Sequence, residues 1–506
     1  MDKIERWGMF ELETEGPSEG NPFVEVKVDA VFQHEREQVA VEGFYDGNGI
    51  YKVRFMPGET GLWEYTVTSN CAEIGSLKGT FECVEAQGDN HGMVKAANQF
   101  HFAYADGTPY YPFGTTCYAW IHQPKELWER TLVSLAGACY NKIRMCVFPK
   151  YYHNNNTEPE RYPFEGTAPG QWDFSKFNPA FFAHLEDMIR RLSKLGIEAD
   201  LILFHPYDEG HWGFDRMSAE ADERYLHYII ARLGAYRNVW WSMANEFDYM
   251  KEKTKADWDR NIGIVAKTDP YHHLLSIHQG DELYDHWDPR ITHASIQLGT
   301  RDETVPAGFG LYKAHRDVYH KPVIYDEVGY EGNLPQRWGR FSAKELVDKF
   351  WKAAVAGVYM THGETFTHPD DIIWWSKGGE LKGQSTPRIA FLRKIVEESK
   401  VNGLEPIDRW WNLNGSGKNG YYYLFYFGTE CPVEWKFELP AFKIGTEIPY
   451  GTKFQVDIID TWNMTVTPAE ALYEVTDKSS YCYTCNHHPV VELPGKPYIA
   501  IRIRKI

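Results

Sequence analysis

Hydrophobic and polar residues alternate with a period of two over the first ninety residues of the chain. The clearest alternating runs cover residues 23–28, 50–55 and 63–67, and turns that contain glycine separate them. A period of two is typical of a strand that buries one face, and short turns between such strands favour antiparallel pairing. We therefore predict an all-β sandwich over residues 1–92.

The last hundred residues have the same character. Residues 421–427, 454–459 and 498–503 form strand patterns, and turns that contain glycine lie between them. We predict a second all-β sandwich over residues 401–506.

The middle of the chain has a different pattern, because short apolar runs there alternate with segments of helical period. In the segment 181–195, for example, Phe182, Leu185 and Met188 fall on one stripe of a helix. Strands that alternate with helices predict βα units around a parallel sheet. Eight units in roughly 300 residues match a (β/α)₈ TIM barrel of the α/β class, which we predict over residues 93–400. The eight candidate strands are residues 111–118, 142–148, 198–204, 239–244, 274–278, 294–298, 323–327 and 357–362.

An open doubly wound sheet would produce the same alternation. Such sheets usually carry a glycine-rich phosphate loop after their first strand, whereas this chain has Phe113, Gly114, Thr115 and Thr116 at that position. The missing nucleotide fingerprint favours the barrel.

The composition is that of a globular protein, with 43% hydrophobic and 25% charged residues. A formal net charge of −18 argues against nucleic acid and against an anionic membrane surface as partners, because both require a basic face. The aromatic content of 15% fits either β-rich cores or flat platforms for sugar rings. The composition does not decide whether the chain forms a homo-oligomer.

No run approaches the roughly 18 apolar residues of a spanning helix, and the N-terminus carries no secretory apolar segment. A cytoplasmic protein with reduced thiols is the expectation for the eight cysteines. Cys482 and Cys485 have the spacing of half a zinc site, but a second such pair is missing. A buried thiol pair or a loop is favoured there, and no metal or other cofactor is predicted.

Polar side chains recur at the carboxyl ends of the predicted barrel strands. Chemistry in (β/α)₈ barrels sits at this end, and polar groups are costly among barrel strands unless they are paired or used. Their recurrence on most strands is therefore a stronger signal than any one of them. These side chains are Arg144, His205, Asn245, Glu246, His278, Gln297, Asp326, Glu327, His362 and Glu364.

Glu246 and Glu327 end the fourth and seventh predicted strands, on opposite sides of the barrel mouth. Glycoside hydrolysis needs two carboxyl groups, one to protonate the departing oxygen and one to attack or stabilise the anomeric carbon. A single glutamate at a strand end is as often a structural ion-pair partner. The pair favours catalysis over that alternative.

Two segments around these glutamates resemble the strand-four and strand-seven signatures of clan A glycoside hydrolases. Residues 240–247 read WWSMANEF, and residues 322–329 read PVIYDEVG. The resemblance implies a retaining mechanism in which Glu246 is the acid/base and Glu327 is the nucleophile. It also implies that Asn245 hydrogen-bonds the 2-hydroxyl of the sugar.

The chain is also similar to bacterial proteins with a DUF5060 N-terminal domain, a DUF4038-type (apiosidase-like) barrel and a DUF5605 C-terminal domain. Residues 4–12, 21–23 and 102–120 carry this similarity at the start of the chain and of the barrel. It covers nearly the whole chain and implies the order sandwich, barrel, sandwich. Related barrels include apiosidase-like and β-galactosidase-like enzymes, so the sugar, a pyranose or a furanose, stays open.

Other strand-end and loop residues are expected to line the substrate pocket. Arg144 is placed to keep Glu327 charged, although a structural ion pair explains it equally well. His205 and His278 fit contacts with sugar hydroxyls or with the glutamates, and satisfied core histidines are the alternative. Asp326 should point away from Glu327, because side chains alternate along a strand. The remaining candidates, which include tryptophans that could stack on a sugar ring, are Gln297, Trp120, Glu209, His211, Glu364, Trp374 and Trp375.

The sequence thus predicts a retaining glycoside hydrolase that acts in exo mode on β-linked glycosides or small oligosaccharides by double displacement. A non-catalytic carbohydrate-binding barrel is the main alternative, but such a protein would be free to lose the two carboxylates. An aldolase or an amidohydrolase would need a Schiff-base lysine or metal ligands at the strand ends, and neither appears there.

Overall fold

A ring of eight parallel strands forms the centre of the fold. The computed structural model describes residues 2–35, 37–300, 309–367, 373–407, 414–441, 447–479 and 481–506. The barrel strands are β1 (Phe113–Thr116), β2 (Lys142–Cys146), β3 (Glu198–Phe204), β4 (Val239–Ala244), β5 (Leu275–Ser276), β6 (Ala294–Gln297), β7 (Val323–Glu327) and β8 (Tyr359–His362).

Neighbouring strands pair in parallel in the order β5-β4-β3-β2-β1-β8-β7-β6. A parallel bridge between His278 and Ser295 links the end of β5 to β6 and closes the ring. The eight predicted strands and the predicted (β/α)₈ barrel are therefore confirmed. Nearly all strand residues are buried, because the side chains point alternately into the barrel and towards the surrounding helices.

Helices alternate with these strands and bury an apolar face against them. They are α1 (Lys125–Ala136), α2 (Pro179–Lys194), α3 (Ala219–Leu233), α4 (Lys255–Thr268), α5 (Phe309–Tyr319), α6 (Ala343–Val355) and α7 (Ser385–Glu397). Asn178 caps α2, and capping boxes begin α4 (Thr254 with Asp257) and α6 (Ser342 with Glu345). These side chains satisfy backbone N–H groups that the first helical turn leaves without partners.

Loops on the carboxyl side of the barrel carry short elements that build the barrel mouth. An antiparallel hairpin, Phe164–Thr167 with Gln171–Phe177, follows β2. The short strands Glu331–Gly332 and Glu364–Thr365, which follow β7 and β8, pair in parallel. Short helical turns lie at Trp120–His122, Phe214–Arg216, Phe247–Tyr249, Arg337–Gly339 and Trp374–Lys377.

A small antiparallel sheet covers the opposite, amino end of the barrel. Its strands are Val94–Ala97, His101–Tyr104 and Pro109–Tyr110. Phe102 of this sheet packs on Trp240 of β4, with ring centroids 5.6 Å apart. An apolar cluster thus joins this sheet to the amino end of the barrel.

The N-terminal region contains two sheets that share one aromatic core. Phe32 from one sheet stacks on Phe55 from the other, with ring centroids 4.1 Å apart. The first sheet has the strand order Lys3–Glu5, Ser76–Val84, Gly61–Ser69, Val28–His34 and Glu37–Glu42, and the second has Phe10–Glu15, Ile50–Phe55 and Phe44–Gly47. The short helix Pro22–Glu25 lies between strands of the two sheets in the chain.

The C-terminal region is also rich in sheet. Tyr426 in this region donates a hydrogen bond to Asp348 Oδ1 in α6 at 2.8 Å and so joins the region to the barrel. A six-stranded sheet has the order Glu405–Pro406, Gly415–Lys418, Tyr422–Tyr426, Ile499–Lys505, Lys453–Asp460 and Thr465–Glu474. Smaller sheets pair Glu434–Lys436 with Val490–Glu492, and Cys482–Thr484 with both Glu438–Pro440 and Asp477–Lys478.

The predicted sheet-rich regions at both ends of the chain are confirmed, whereas the domain boundaries near residues 92 and 400 stay predictions. Across the residues that the structure describes, no helix is both long enough and apolar enough to cross a membrane. All eight cysteines are free thiols, and Cys482 and Cys485 are both buried.

A buried ion-pair network joins the N-terminal sheets to the barrel helices. Arg54, from the strand Ile50–Phe55, donates to both carboxylate oxygens of Glu186 in α2, at 2.8 and 3.0 Å. Arg232 in α3 donates to the same carboxylate at 2.7 Å. All three side chains are at most 5% exposed, so solvent screens these charges weakly.

Glu186→Ala is expected to lower the free energy of unfolding by about 3–5 kcal/mol, because two buried guanidinium groups lose their shared carboxylate. Urea denaturation measures this change. Glu220→Ala is the control, since it removes an exposed partner of Arg224 and should alter stability little. Equal stability losses in the two variants would contradict the importance of the buried network.

Candidate active site

The two predicted catalytic glutamates both lie at the barrel mouth. Glu246 is the second residue after β4, and Glu327 is the last residue of β7. Glu246 is 5% exposed and Glu327 is 8% exposed. Glu246 has φ 49° and ψ 55°, in the left-handed region, where a residue with a side chain costs about 1 kcal/mol or more. The surrounding contacts must therefore hold this residue in place.

The Glu246 carboxyl group receives hydrogen bonds from three neighbouring side chains. The Tyr207 hydroxyl donates to Oε2, and the Asn245 amide donates to the same oxygen at 3.2 Å. The Gln297 amide, oriented with its nitrogen towards Glu246, lies 3.1 Å from Oε1. All three donors are uncharged.

The Glu327 carboxyl group has a more positively charged environment. The Tyr118 hydroxyl donates to Oε1, and Arg144 Nη1 lies 3.7 Å from the same oxygen. His278 Nε2 also lies 3.7 Å from Oε1. An adjacent guanidinium group favours the ionised form of this carboxyl group.

Asn245 links the surroundings of the two glutamates. Its Oδ1 accepts a hydrogen bond from Arg144 Nη1 at 3.0 Å and lies 3.3 Å from the Tyr118 hydroxyl oxygen. Because its amide also donates to Glu246, one side chain contacts Glu246 and two of the side chains next to Glu327.

A buried layer of paired charges lies beneath the glutamates. Lys142 Nζ lies 2.7 Å from Asp200 Oδ2 and 2.8 Å from Asp326 Oδ1. Thr361 also donates to Asp326, at 2.6 Å. Asp326 thus points into this layer and away from Glu327, as alternation along the strand predicts. Arg144 Nε lies 3.9 Å from both aspartates, so the layer holds Arg144 in position below Glu327.

The surroundings set the protonation of the two glutamates. Burial, followed by the negative charge of Glu327, raises the pKa of Glu246 to about 7. Burial also raises the pKa of Glu327, while Arg144 and the Tyr118 hydroxyl act in the opposite direction. Since the two carboxyl groups titrate as a coupled pair, we assign the first ionisation to Glu327, which faces the guanidinium group.

Two of the strand-end histidines, His205 and His278, are fully enclosed by the barrel. Burial lowers the pKa of His205 to about 3 and that of His278 well below its usual value. His205 Nε2 lies 3.1 Å from the Phe148 carbonyl oxygen, and its Nδ1 accepts a hydrogen bond from the Tyr207 backbone at 3.2 Å. His205 therefore supports the loop that carries Tyr207 and does not line the pocket.

A pocket of about 380 Å³ opens above the two glutamates. Six of its sixteen lining residues are aromatic, and Trp338 and Trp375 among them are in contact at 5.2 Å between ring centroids. Flat rings of this kind can pack against the apolar face of a sugar. The side chains and backbone that line the pocket are those of Tyr118, Lys150, Tyr152, Asn154, Tyr207, Asn245, Glu246, Gln297, Leu298, Gly299, Thr300, Glu327, Gly329, Tyr330, Trp338 and Trp375.

The structure brings eight of the thirteen predicted site residues to this pocket or directly beneath it. Arg144 and His278 contact Glu327 from below, and His205 lies under the loop of Tyr207. The five that line the pocket are Asn245, Glu246, Gln297, Glu327 and Trp375.

The other five predicted residues lie outside the pocket. Trp120 is fully buried in the barrel core, and the Trp374 indole points inward to donate to Thr115 at 2.9 Å. The Glu364 carboxylate accepts backbone N–H groups of a following loop, at 2.7 and 2.9 Å. Glu209 is exposed, and His211 pairs with an exposed acidic residue, Glu158.

Several pocket residues were not predicted from the sequence. Tyr118, Lys150 and Tyr207 follow the ends of β1, β2 and β3 by two to four residues. Their position just after the strand ends could have identified them as pocket residues. The pattern of apolar residues, however, does not show which loop side chains point into the pocket. Within the described parts of the chain, no group of three or more histidine, cysteine, aspartate or glutamate side chains could hold a metal ion.

Family models match three consecutive parts of the chain. The model described as the apiosidase-like catalytic domain matches residues 96–420, which is more than half of the 506 residues. DUF5060, a domain of unknown function, matches residues 3–70, and DUF5605, another such domain, matches residues 410–504. These matches confirm the predicted resemblance.

Solved structures resemble this one to different degrees. A candidate glycoside hydrolase from Bacteroides vulgatus ATCC 8482 is 44% identical, with 100% of each chain covered and a TM-score of 0.94. A family 5 glycoside hydrolase from the same organism is 14% identical and has a TM-score of 0.56, with 82% of this chain and 93% of that chain covered. A further glycoside hydrolase is 13% identical at a TM-score of 0.53, covering 82% of this chain and 97% of that one, and these two share the fold alone. No curated protein matches the chain.

Proposed function

Because the chain belongs to the family of the apiosidase-like catalytic domain, we propose that it is a retaining glycoside hydrolase acting in exo mode on β-linked glycosides or small oligosaccharides. The observation that carries this proposal is the pair Glu246 and Glu327, whose carboxyl groups face one pocket but have different partners. Retaining hydrolysis needs one carboxyl group that carries a proton and one that is ionised.

In the proposed first step, Glu327 attacks the anomeric carbon while the bond to the leaving oxygen breaks. Glu246 gives its proton to that oxygen, which leaves as an alcohol. In the second step, Glu246 takes a proton from water as the water oxygen attacks the anomeric carbon. The ester bond to Glu327 then breaks, and both carboxyl groups return to their starting states.

The supports of each carboxyl group fit these roles. Arg144 and Tyr118 stabilise the negative charge that Glu327 carries before attack and regains afterwards. Glu246 is surrounded by neutral donors, and its pKa of about 7 leaves it protonated in weakly acidic solution. Asn245, whose side chain contacts Glu246 and Arg144, is the proposed hydrogen-bond partner of the 2-hydroxyl group of the sugar.

The size of the pocket supports action on small glycosides. A volume of about 380 Å³ lies at the low end of the range for small-molecule sites, which is roughly 300–1,000 Å³. Tyr152 and Trp375 offer rings against which a sugar could pack.

The test is a panel of aryl β-glycosides, both pyranosides and furanosides, assayed with the wild type, Glu327→Ala and Glu246→Ala. We expect turnover of at least one glycoside by the wild type and loss of that turnover in both variants. Full activity in both variants would refute the assignment. Release of the α-anomer as the first product from a β-glycoside would refute the retaining mechanism.

In the wild type, the hydrogen bond from Tyr207 stabilises the ionised carboxyl group of Glu246. Tyr207→Phe removes this bond and is therefore expected to raise the pKa of Glu246 by about 1 unit. The alkaline limit of kcat/KM should then move to higher pH by the same amount. Tyr152→Phe is the matched control, since that hydroxyl donates to Ser376 at 2.8 Å and not to a carboxylate. An unchanged limit in Tyr207→Phe would show that Glu246 does not set it.

A further inference from the structure

Lys150 is a buried lysine in the wall of the candidate active site. It follows β2 by four residues, is 1% exposed and lines the pocket. Its backbone carbonyl accepts a hydrogen bond from Asn155 at 2.7 Å, which fixes the loop on which it lies. Neither the predicted chemistry nor the proposed mechanism uses this residue.

The Lys150 ammonium group packs on the rings of both tyrosines that support the catalytic carboxyl groups. Nζ lies 3.7 Å from the centroid of Tyr118 and 4.0 Å from the centroid of Tyr207. Tyr118 donates to Glu327, and Tyr207 donates to Glu246. One cation therefore contacts both tyrosine–glutamate pairs. Its other ring contacts are Tyr152 at 4.7 Å and Trp375 at 5.7 Å.

Two other buried lysines differ from Lys150 in having carboxylate partners. Lys142 is paired with Asp200 at 2.7 Å, and Lys253 is paired with Asp222 at 2.5 Å. Among the residues that the structure describes, no carboxylate oxygen lies within 4.0 Å of Lys150 Nζ. Ring faces take the place of a carboxylate, and a desolvated contact of this kind is attractive because the face of an aromatic ring is electronegative.

We propose that Lys150 is a positioning residue of the reaction, whose ammonium group holds Tyr118 and Tyr207 in the orientations that direct their hydroxyls to Glu327 and Glu246. This inference rests on the proposed function, because it assigns the two pairs to one reaction. Rotation of either ring about its side-chain bonds would carry its hydroxyl away from the carboxyl group, and the shared cation on both rings opposes these rotations.

The charge of Lys150 also acts on the two carboxyl groups. It lowers the pKa of both Glu246 and Glu327. Removing the charge should therefore raise both values together, whereas a purely structural residue would leave them unchanged. The other titratable and charged groups that face Lys150 are Arg144, Cys146, His205, Tyr118, Tyr152 and Tyr207.

The test is a ¹³C NMR titration of the Glu246 and Glu327 carboxyl groups in the full-length protein, with Glu246→Gln and Glu327→Gln used for assignment. Lys150→Met is expected to raise both pKa values by about 1 unit, whereas Lys150→Arg, which keeps the charge, should leave them near the wild-type values. Lys253→Met is the matched control, because it removes a buried lysine that lies outside the pocket. Lys150→Gln is a second neutral variant should Lys150→Met not fold.

Kinetic measurements test whether Lys150 acts on the reaction by positioning the tyrosines. Lys150→Met is expected to lower kcat/KM by about 10²-fold, as misplaced catalytic groups do. If Lys150 acts through Tyr207, the fold-loss should be smaller in a Tyr207→Phe background than in the wild type. Multiplicative losses, or carboxyl pKa values in Lys150→Met equal to those of the wild type, would overturn the inference. The titration needs no substrate, so a protein that hydrolyses no glycoside would refute the proposed function and leave this test intact.

Discussion

Glu327→Ala is expected to lower kcat/KM for the best aryl β-glycoside by about 10⁴-fold or more, because the variant lacks the group that forms the covalent intermediate. The loss should appear for every leaving group, since Glu327 supplies the nucleophile that displaces each of them. Steady-state kinetics on a series of aryl glycosides measures it. In the wild type, NMR of the first product should show the β-anomer.

Glu364→Gln provides a matched control for this loss. Glu364 is also a buried glutamate beyond the end of a barrel strand, and burial raises its pKa to about 7. Its carboxylate, however, accepts backbone N–H groups of residues 382 and 383 and does not line the pocket. We expect Glu364→Gln to keep most of the activity. A comparable loss in both variants would mean that burial, and not position in the pocket, explains the effect.

The comparison with Glu364 also shows how far the sequence predicts the site. Short apolar runs that alternate with segments of helical period were sufficient to place all eight barrel strands, because strand burial depends on local pattern. Strand ends then located Asn245, Glu246 and Glu327, since the carboxyl end of every parallel strand faces the same side. For Glu364 the same rule predicted a pocket residue. In the structure, however, the Glu364 carboxylate accepts hydrogen bonds from the backbone N–H groups of residues 382 and 383 and does not reach the pocket.

Loop residues could not be placed in this way. Trp374 and Trp375 are neighbours in a short helical turn, so their side chains leave in different directions, and only Trp375 reaches the pocket. Tyr118, Lys150 and Tyr207 depend on the path of three separate βα loops, which no local periodicity encodes. Their role follows from distances between residues far apart in the sequence, such as the contact of Lys150 with Tyr207.

Glu246 is expected to impose an alkaline limit on kcat/KM at about pH 7. Burial and the negative charge of Glu327 raise its pKa to about 7, so below that pH the group carries the proton that the leaving oxygen needs. As pH rises through this value, the free enzyme loses the proton and kcat/KM falls. Ionisation of Glu327 sets the acidic limit, because the nucleophile must be charged. A bell-shaped profile of kcat/KM against pH is the expected result.

Glu246→Gln should remove the alkaline limit and make the loss depend on the leaving group. For glycosides of a poor leaving group, such as an alkyl alcohol, we expect kcat/KM to fall by about 10²–10⁴-fold, because no side chain protonates the departing oxygen. For a dinitrophenyl glycoside the loss in kcat/KM should be far smaller, since that anion leaves without a proton. Activity losses of equal size across the whole series would contradict the acid role, and an alkaline limit that persists in Glu246→Gln would assign it to another group.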